Sequence, residues 1–207
     1  MGEHIYTYAD PPSERDLTRT CKVLENDGLL AYPMGLNWAF GCDAGSVKAL
    51  ERIRLLKPGH PMEKSFSLLC SDISMASRVG NIDHSLYRVL KKIWPGPYTI
   101  LVRRHRSLPK MIRDKRQIVG IRVPDCDFVR ALVARYDKPL ATTSVPEKPD
   151  GGSCIMGYEV YEHFGHGVDL VLDLGEELPG GESTVVDFSS GSPEVIRVGA
   201  GDPSVFG

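Results

Sequence analysis

Leu29-Leu30-Ala31-Tyr32-Pro33-Met34-Gly35-Leu36-Asn37-Trp38-Ala39-Phe40-Gly41-Cys42 reads as two short apolar strands joined by a turn at Pro33-Met34-Gly35. Such a hairpin pairs its strands antiparallel, whereas strands separated by helices return parallel. Upstream, Ser13 to Asp27 has a helical pattern, with Ser13 as cap, Leu17, Cys21 and Leu24 on one face, and Gly28 as stop. Downstream, Ser46 to Leu56 is helical with Val47, Leu50 and Ile53 facing inward, and Lys57 to Lys64 is a loop holding two prolines and a glycine. Phe66–Cys70 and Tyr98–Val102 are apolar strands, and helices start at Asp72 and Asp83 between them, the second burying Leu86, Leu90 and Ile93. After a strand at Ile118–Val123, Asp127 is expected to cap a helix that turns Val129, Leu132 and Val133 inward. Strands at Leu140–Thr143, Leu170–Leu174, Thr184–Phe188 and Val195–Val198 complete the chain, with a loop over Glu147–Ser153. One hairpin among helical crossovers predicts an α/β fold with a mixed sheet in a single domain. Residues 10–200 are assigned to that domain and residues 1–9 to an N-terminal extension.

The 207 residues can bury a substantial core. A hydrophobic share of 42% and a charged share of 25% are those of an ordinary globular protein. The formal net charge of -2 argues against a globally basic nucleic-acid binder, so any such role needs a local patch. Cys21, Cys42, Cys70, Cys126 and Cys154 are scattered without a CxxC pair, which predicts reduced, mostly buried thiols. Met1 to Pro12 carries no secretory pattern and no apolar run approaches membrane-spanning length, so a cytoplasmic protein is expected. The histidines show no metal-ligand spacing, and no Ser-His-Asp or Cys-His arrangement can be inferred.

Three strands place polar groups at or near an end. Leu140-Ala141-Thr142-Thr143-Ser144 closes on three hydroxyls, Ser183-Thr184 opens another strand, and Arg122 nearly ends Val119-Gly120-Ile121-Arg122-Val123. Such strand ends line the ligand crevice of α/β sheets, and an arginine there suits a carboxylate or phosphate. Strand alternation turns Thr142 and Ser144 to one face, and Arg122 away from Ile121 and Val123. The plainer alternatives are an ion pair for Arg122, satisfied edge hydroxyls for Thr142 and Ser144, a turn for Ser183, and a surface position for Arg197. Arg103, Arg104, Arg106, Lys110, Arg113, Lys115 and Arg116 form a basic run opposed only by Asp114. Most such runs are solvated faces; this one, just before Arg122, also suits RNA or nucleotide phosphate. It lacks interleaved aromatics, which favours backbone over base recognition.

The blocks Gly28–Pro33, Trp94-Pro95-Gly96-Pro97-Tyr98-Thr99, Val119–Pro124, Leu140–Ser144, Ser183–Asp187 and Val195–Gly199, in this order, resemble the YrdC/YciO family. The resemblance implies a twisted mixed sheet flanked by helices, a concave, positively charged cleft and a relation to threonylcarbamoyl-AMP synthesis from ATP, bicarbonate and L-threonine, for t6A modification of tRNA. It implies a carboxylate grip for Arg122, phosphate contacts for Arg54, Lys57 and Arg197, and ligand-orienting roles for Thr142, Ser144 and Ser183. ATP would enter as a substrate with Mg²⁺ on its phosphates, and no tightly bound cofactor is expected.

The departures point to the YciO branch. Synthases carry Pro-Thr-Asp/Glu-Thr-x-Tyr-Gly-Leu where this chain has Pro33-Met34-Gly35-Leu36-Asn37-Trp38-Ala39-Phe40. Their Lys-x-Arg pair becomes Arg54-Leu55-Leu56-Lys57, and Ala-Asn after the hydroxyl block becomes Val145-Pro146. Two rival expectations follow: a non-catalytic double-stranded RNA or tRNA-binding module, and a cleft whose altered Met34–Phe40 segment takes a different amino or carboxylic acid.

Overall fold

The computed structural model describes residues 1–57, 66–106, 108 and 117–206. The strands are β1 (Glu3–Tyr6), β2 (Leu30–Pro33), β3 (Trp38–Asp43), β4 (Ser67–Leu69), β5 (Tyr98–Arg103), β6 (Ile118–Arg122), β7 (Leu140–Ser144), β8 (Leu170–Asp173), β9 (Thr184–Asp187) and β10 (Glu194–Arg197). The helices are α1 (Glu14–Glu25), α2 (Val47–Leu56), α3 (Ile73–Val79), α4 (His84–Ile93), α5 (Asp127–Tyr136) and α6 (Gly157–Phe164). All ten strands join one sheet in the order β1-β8-β2-β3-β7-β4-β6-β5-β9-β10. The hairpin β2–β3 is antiparallel, as its turn dictates, while β2 with β8 and β4 with β6 are parallel. The sheet is therefore mixed.

Helix starts follow local chemistry. Ser13, Ser46, Asp72 and Asp83 each accept a backbone N–H from the first turn of α1, α2, α3 and α4. At α5 the cap residue is Cys126 and makes no side-chain cap bond; Asp127 is the first helical residue instead. Val47 is exposed at the start of α2, and Ala49, Leu50 and Ile53 face inward. Tyr32, Trp38, Phe40, Phe66 and Phe128 are the largest fully buried side chains. The hairpin thus supplies much of the core.

Two elements carry no clear signature in the sequence. Residues 3–6, set apart as an extension, form β1, the sheet's edge strand, paired parallel with β8. Helix α6 packs on β8 and β2. Beyond residue 200, Pro203–Phe206 forms a short 3-10 helix whose Phe206 packs edge-on against Tyr98. All five cysteines are buried and free.

Candidate functional site

Residues directly opposite in a sheet share a face, so the register fixes which side chains meet. Ala39 pairs with Ser144, Ser67 with Thr142, and Leu69 with Arg122. Leu101 pairs with Gly120, Thr99 with Val185, and Val185 with Arg197. One face of the sheet therefore carries Thr142, Ser144, Arg122 and Arg197 together, although they come from distant stretches of chain. That face is hollow because its central positions are small. A Cβ at Gly120 would stand 3.0 Å from Ser67 Oγ and 3.2 Å from Leu101 Cδ2. The resulting cavity, about 280 Å³, is lined by Arg122, Thr142, Ser144, Ser183 and Arg197 among others. A second cavity, lined by Lys57, Pro146 and Cys154, adjoins it across Asn37, Ser144 and Glu182.

Arg122 is the unusual member. It is only 8% exposed, and Nη2 donates to Met34 O at 3.3 Å. Its Nε is buried without a hydrogen-bond partner, and no carboxylate among the described residues pairs with it. Burial pulls its pKa down to about 10, with opposing help from Tyr32 and a further lowering by Arg197, so it remains charged at neutral pH. An uncompensated buried charge costs several kcal/mol.

The hydroxyls are already engaged. Tyr32 OH donates to Thr142 Oγ1 at 3.0 Å, and that hydroxyl donates to Phe40 O at 3.1 Å. Burial pushes the Tyr32 phenol up, so it stays a donor. Thr142 thus braces the cleft wall. Lys57 Nζ donates to Ser144 O at 2.8 Å, Ser144 Oγ at 2.9 Å and Thr143 Oγ1 at 3.3 Å, which brings the end of α2 to the end of β7. Ser183 Oγ lies 2.8 Å from Thr99 Oγ1. Arg197 donates through Nε and Nη2 to Ser183 O, at 3.1 and 2.9 Å, and pairs through Nη1 with Glu182 at 2.8 Å.

Not every expected residue arrives. Arg54 is not among the residues that line the cavity; its guanidinium sits 5.6 Å over the ring of Phe66, which is, and its Nε is buried and unpartnered. Of the basic run, Lys110, Arg113, Lys115 and Arg116 lie outside the described residues. Arg103 is four residues past Thr99 on β5, roughly 13 Å along the strand. It lines a different cavity and donates to Ser189 O at 2.9 Å. Arg104 donates to His105 O at 3.2 Å, and Arg106 is exposed. The described part of the run is therefore removed from the cleft.

Sequence reasoning passed over Asn37 and Glu182. Asn37 Nδ2 donates to Gly181 O at 3.0 Å, which leaves Oδ1 as the free end of the amide; it is buried without a partner. Only the pairing of Gly181 with the β2–β3 turn reveals this, and no local pattern signals it. Among the described residues no group of three or more His, Cys, Asp or Glu gathers as a metal site, and no helix is long and apolar enough to cross a membrane.

Comparison with known proteins adds to this geometry. The Sua5/YciO/YrdC family model, described as "Telomere recombination", matches residues 22–199. YciO of Escherichia coli K12 is 29% identical over 210 residues, with both chains fully covered. The crystal structure of E. coli YciO superposes with a TM-score of 0.90, again over the whole of both chains. A threonylcarbamoyl-AMP synthase of Saccharophagus degradans is 30% identical over 183 residues, 87% of this chain and 88% of its own. The crystal structure of P. abyssi Sua5 complexed with L-threonine matches in fold with a TM-score of 0.84 at 24% identity, covering 95% of this chain and 57% of that one.

Proposed function

The chain belongs to the Sua5/YciO/YrdC family, and from that premise we propose that its cleft holds an amino acid beside ATP and joins them in a threonylcarbamoyl-AMP synthase-type reaction. The observation that carries this reading is the buried guanidinium of Arg122, which meets no carboxylate among the described residues. In the reaction, the ammonium group of the amino acid and bicarbonate give a carbamate and water, with a proton released. A carbamate oxygen then attacks the α-phosphorus of ATP, and the bond to pyrophosphate breaks. Such chemistry needs orientation and charge neutralisation more than a protein nucleophile. Arg122 would hold the amino-acid carboxylate, while Lys57 and Arg197 would face phosphate oxygens and Ser144 and Ser183 would orient the ligand. Arg54 stacks on Phe66, so its part would be to support that wall. Mg²⁺ would accompany ATP through the phosphates. The product would serve tRNA modification in the cytoplasm.

Purified protein incubated with ATP, bicarbonate and L-threonine tests this, with pyrophosphate release followed and the adenylate weighed by mass spectrometry. Arg122→Ala should lower turnover by roughly 10- to 100-fold, the worth of a charged hydrogen bond. Product at an unchanged rate in that variant would contradict the assignment.

A second reading, a non-catalytic module for double-stranded RNA or tRNA, draws on Arg103 and Arg104, neither of which forms an ion pair among the described residues. Filter binding across a salt series tests it. RNA held by this patch should bind more weakly as salt rises, and steeply so. Reversing Arg103, Arg104 and Arg106 to Glu should flatten the slope by roughly 0.7–0.9 for each phosphate no longer neutralised. A flat wild-type response would remove the reading.

A further inference from the structure

One hydroxyl in the lining of the cleft is uncommitted. Ser67 reaches the cavity from β4, half-buried, and its side chain makes no hydrogen bond among the described residues. Its neighbours in the sheet explain why. Thr142 Oγ1, across on β7, already accepts from Tyr32 OH and donates to Phe40 O. Gly120, beside it on β6, has no side chain to offer, and Ser67 Oγ lies 3.0 Å from where a Cβ on that glycine would stand. Arg122 follows two residues further along β6 and faces the same way, its Cα about 7 Å from that of Gly120. The free hydroxyl and the buried cation therefore border the same cavity from neighbouring strands.

The lining holds more hydrogens than it uses itself. Ser144 Oγ accepts from Lys57 Nζ, so its own hydrogen stays available. Thr99 Oγ1 and Ser183 Oγ share one hydrogen bond, which leaves one of their two hydrogens to spare. Ser67 and Arg122 Nε add to these donors. Against them stand Asn37 Oδ1, which is unpartnered, and Glu182, whose carboxylate pairs with Arg197. A ligand hydroxyl takes up one hydrogen and brings another, whereas an ionised carboxyl or carbamate group only accepts and can take several. The lining thus suits a short ligand with two such groups, one for Arg122 and one for the hydroxyls. An amino acid whose nitrogen has taken up bicarbonate is a ligand of this kind, since only Cα and the nitrogen separate its carboxylate from its carbamate.

We propose that the cleft binds the N-carboxylated amino acid as a short dianion, with Ser67 Oγ–H donating to the carbamate while Arg122 holds the α-carboxylate. Ser67 takes one carbamate oxygen and leaves the other to attack phosphorus. The inference rests on the reading that Arg122 grips a carboxylate, and it adds the residue that receives the second anionic group.

Succinate is N-carboxyglycine with a methylene in place of the nitrogen, and butanoate is the same chain with one carboxylate exchanged for a methyl. Calorimetric titration of the full chain with both supplies the test. Succinate should bind about 10-fold or more tighter than butanoate, the worth of hydrogen bonds to a charged group. Ser67→Ala should weaken succinate about 10-fold and leave butanoate unchanged, a split that a merely structural loss would not produce. Ser67→Thr, which keeps the hydroxyl, should restore the preference. Equal binding of the two acids by wild type would overturn the inference, as would a Ser67→Ala variant that weakens both equally or neither. Arg122→Met separates this assignment from the carboxylate grip. If it abolishes binding of both acids while wild type binds them alike, only the role of Ser67 falls. If it leaves binding intact, or if wild type binds neither acid, the carboxylate grip falls and the inference with it.

Discussion

Among single residues, Arg122 bears most on the proposed grip on a carboxylate. Removing a buried charge that no acid of the described residues offsets, with its volume replaced, is expected to stabilise the ligand-free fold. Arg122→Met should therefore raise the unfolding free energy by about 1–3 kcal/mol in urea denaturation, while destroying anion binding. The alternation of Ile121-Arg122-Val123 is enough to place this side chain on the opposite face from its neighbours. Its lack of an acidic partner is not legible there, because it depends on which acids the rest of the chain keeps away. Thr142 shows the converse. Its face is legible from strand period, but its hydroxyl is taken by Tyr32 OH and Phe40 O, partners that only the sheet order brings near. Arg197 is legible as an arginine near the cleft, whereas the Ser183 carbonyl that accepts its fork and the Glu182 that pairs with it are not.

Among the elements, strongly patterned segments are readable and weakly patterned ones are not. Helices α1, α3 and α4 announce themselves by a capping side chain followed by apolar residues at helical spacing. Helix α6 does not, since Gly-Tyr-Glu-Val-Tyr-Glu-His-Phe contains few strong helix formers. It is held instead by Glu159, whose carboxylate accepts from the N–H groups of Ile155 and Met156 at 2.8 and 3.0 Å and from Lys148 Nζ at 2.7 Å. The Lys148 bond first, then the Met156 and Ile155 N–H groups, hold the Glu159 pKa down to about 2 against the usual 4.5. A depressed carboxylate contributes stability that is present above its unfolded value and lost as pH falls through its folded one. Wild type should therefore lose this contribution between about pH 4.5 and 2, and Glu159→Gln should lack that part of the acid dependence when urea midpoints are compared across this window. Strand β1 escapes a sequence reading for a related reason. Only Ile5 of its four residues is buried, and its partner β8 lies near the other end of the chain.

For the molecule as a whole, the mixed sheet follows from one hairpin among crossovers, but the cleft follows from register. Seven neighbouring strands must align before Ala39, Ser67 and Gly120 leave a hollow and Arg122, Ser144, Ser183 and Arg197 rim it. Gly120 is the position at which this hollow can be filled. Gly120→Val should cost about 1–3 kcal/mol through overpacking and abolish ligand binding by calorimetry, with Arg122 itself untouched. Binding that survives Gly120→Val in a folded protein would place the ligand elsewhere.

If the fold keeps an uncompensated buried cation for the sake of an anionic ligand, the cost and the benefit of that cation can be read from one set of unfolding curves. Wild type and Arg122→Met would each be unfolded in urea with and without saturating ATP and L-threonine. The variant should be the more stable protein without ligand and should gain nothing when ligand is added, whereas wild type should gain stability by mass action. A wild type more stable than the variant in the absence of ligand, together with the same ligand response in both, would contradict this.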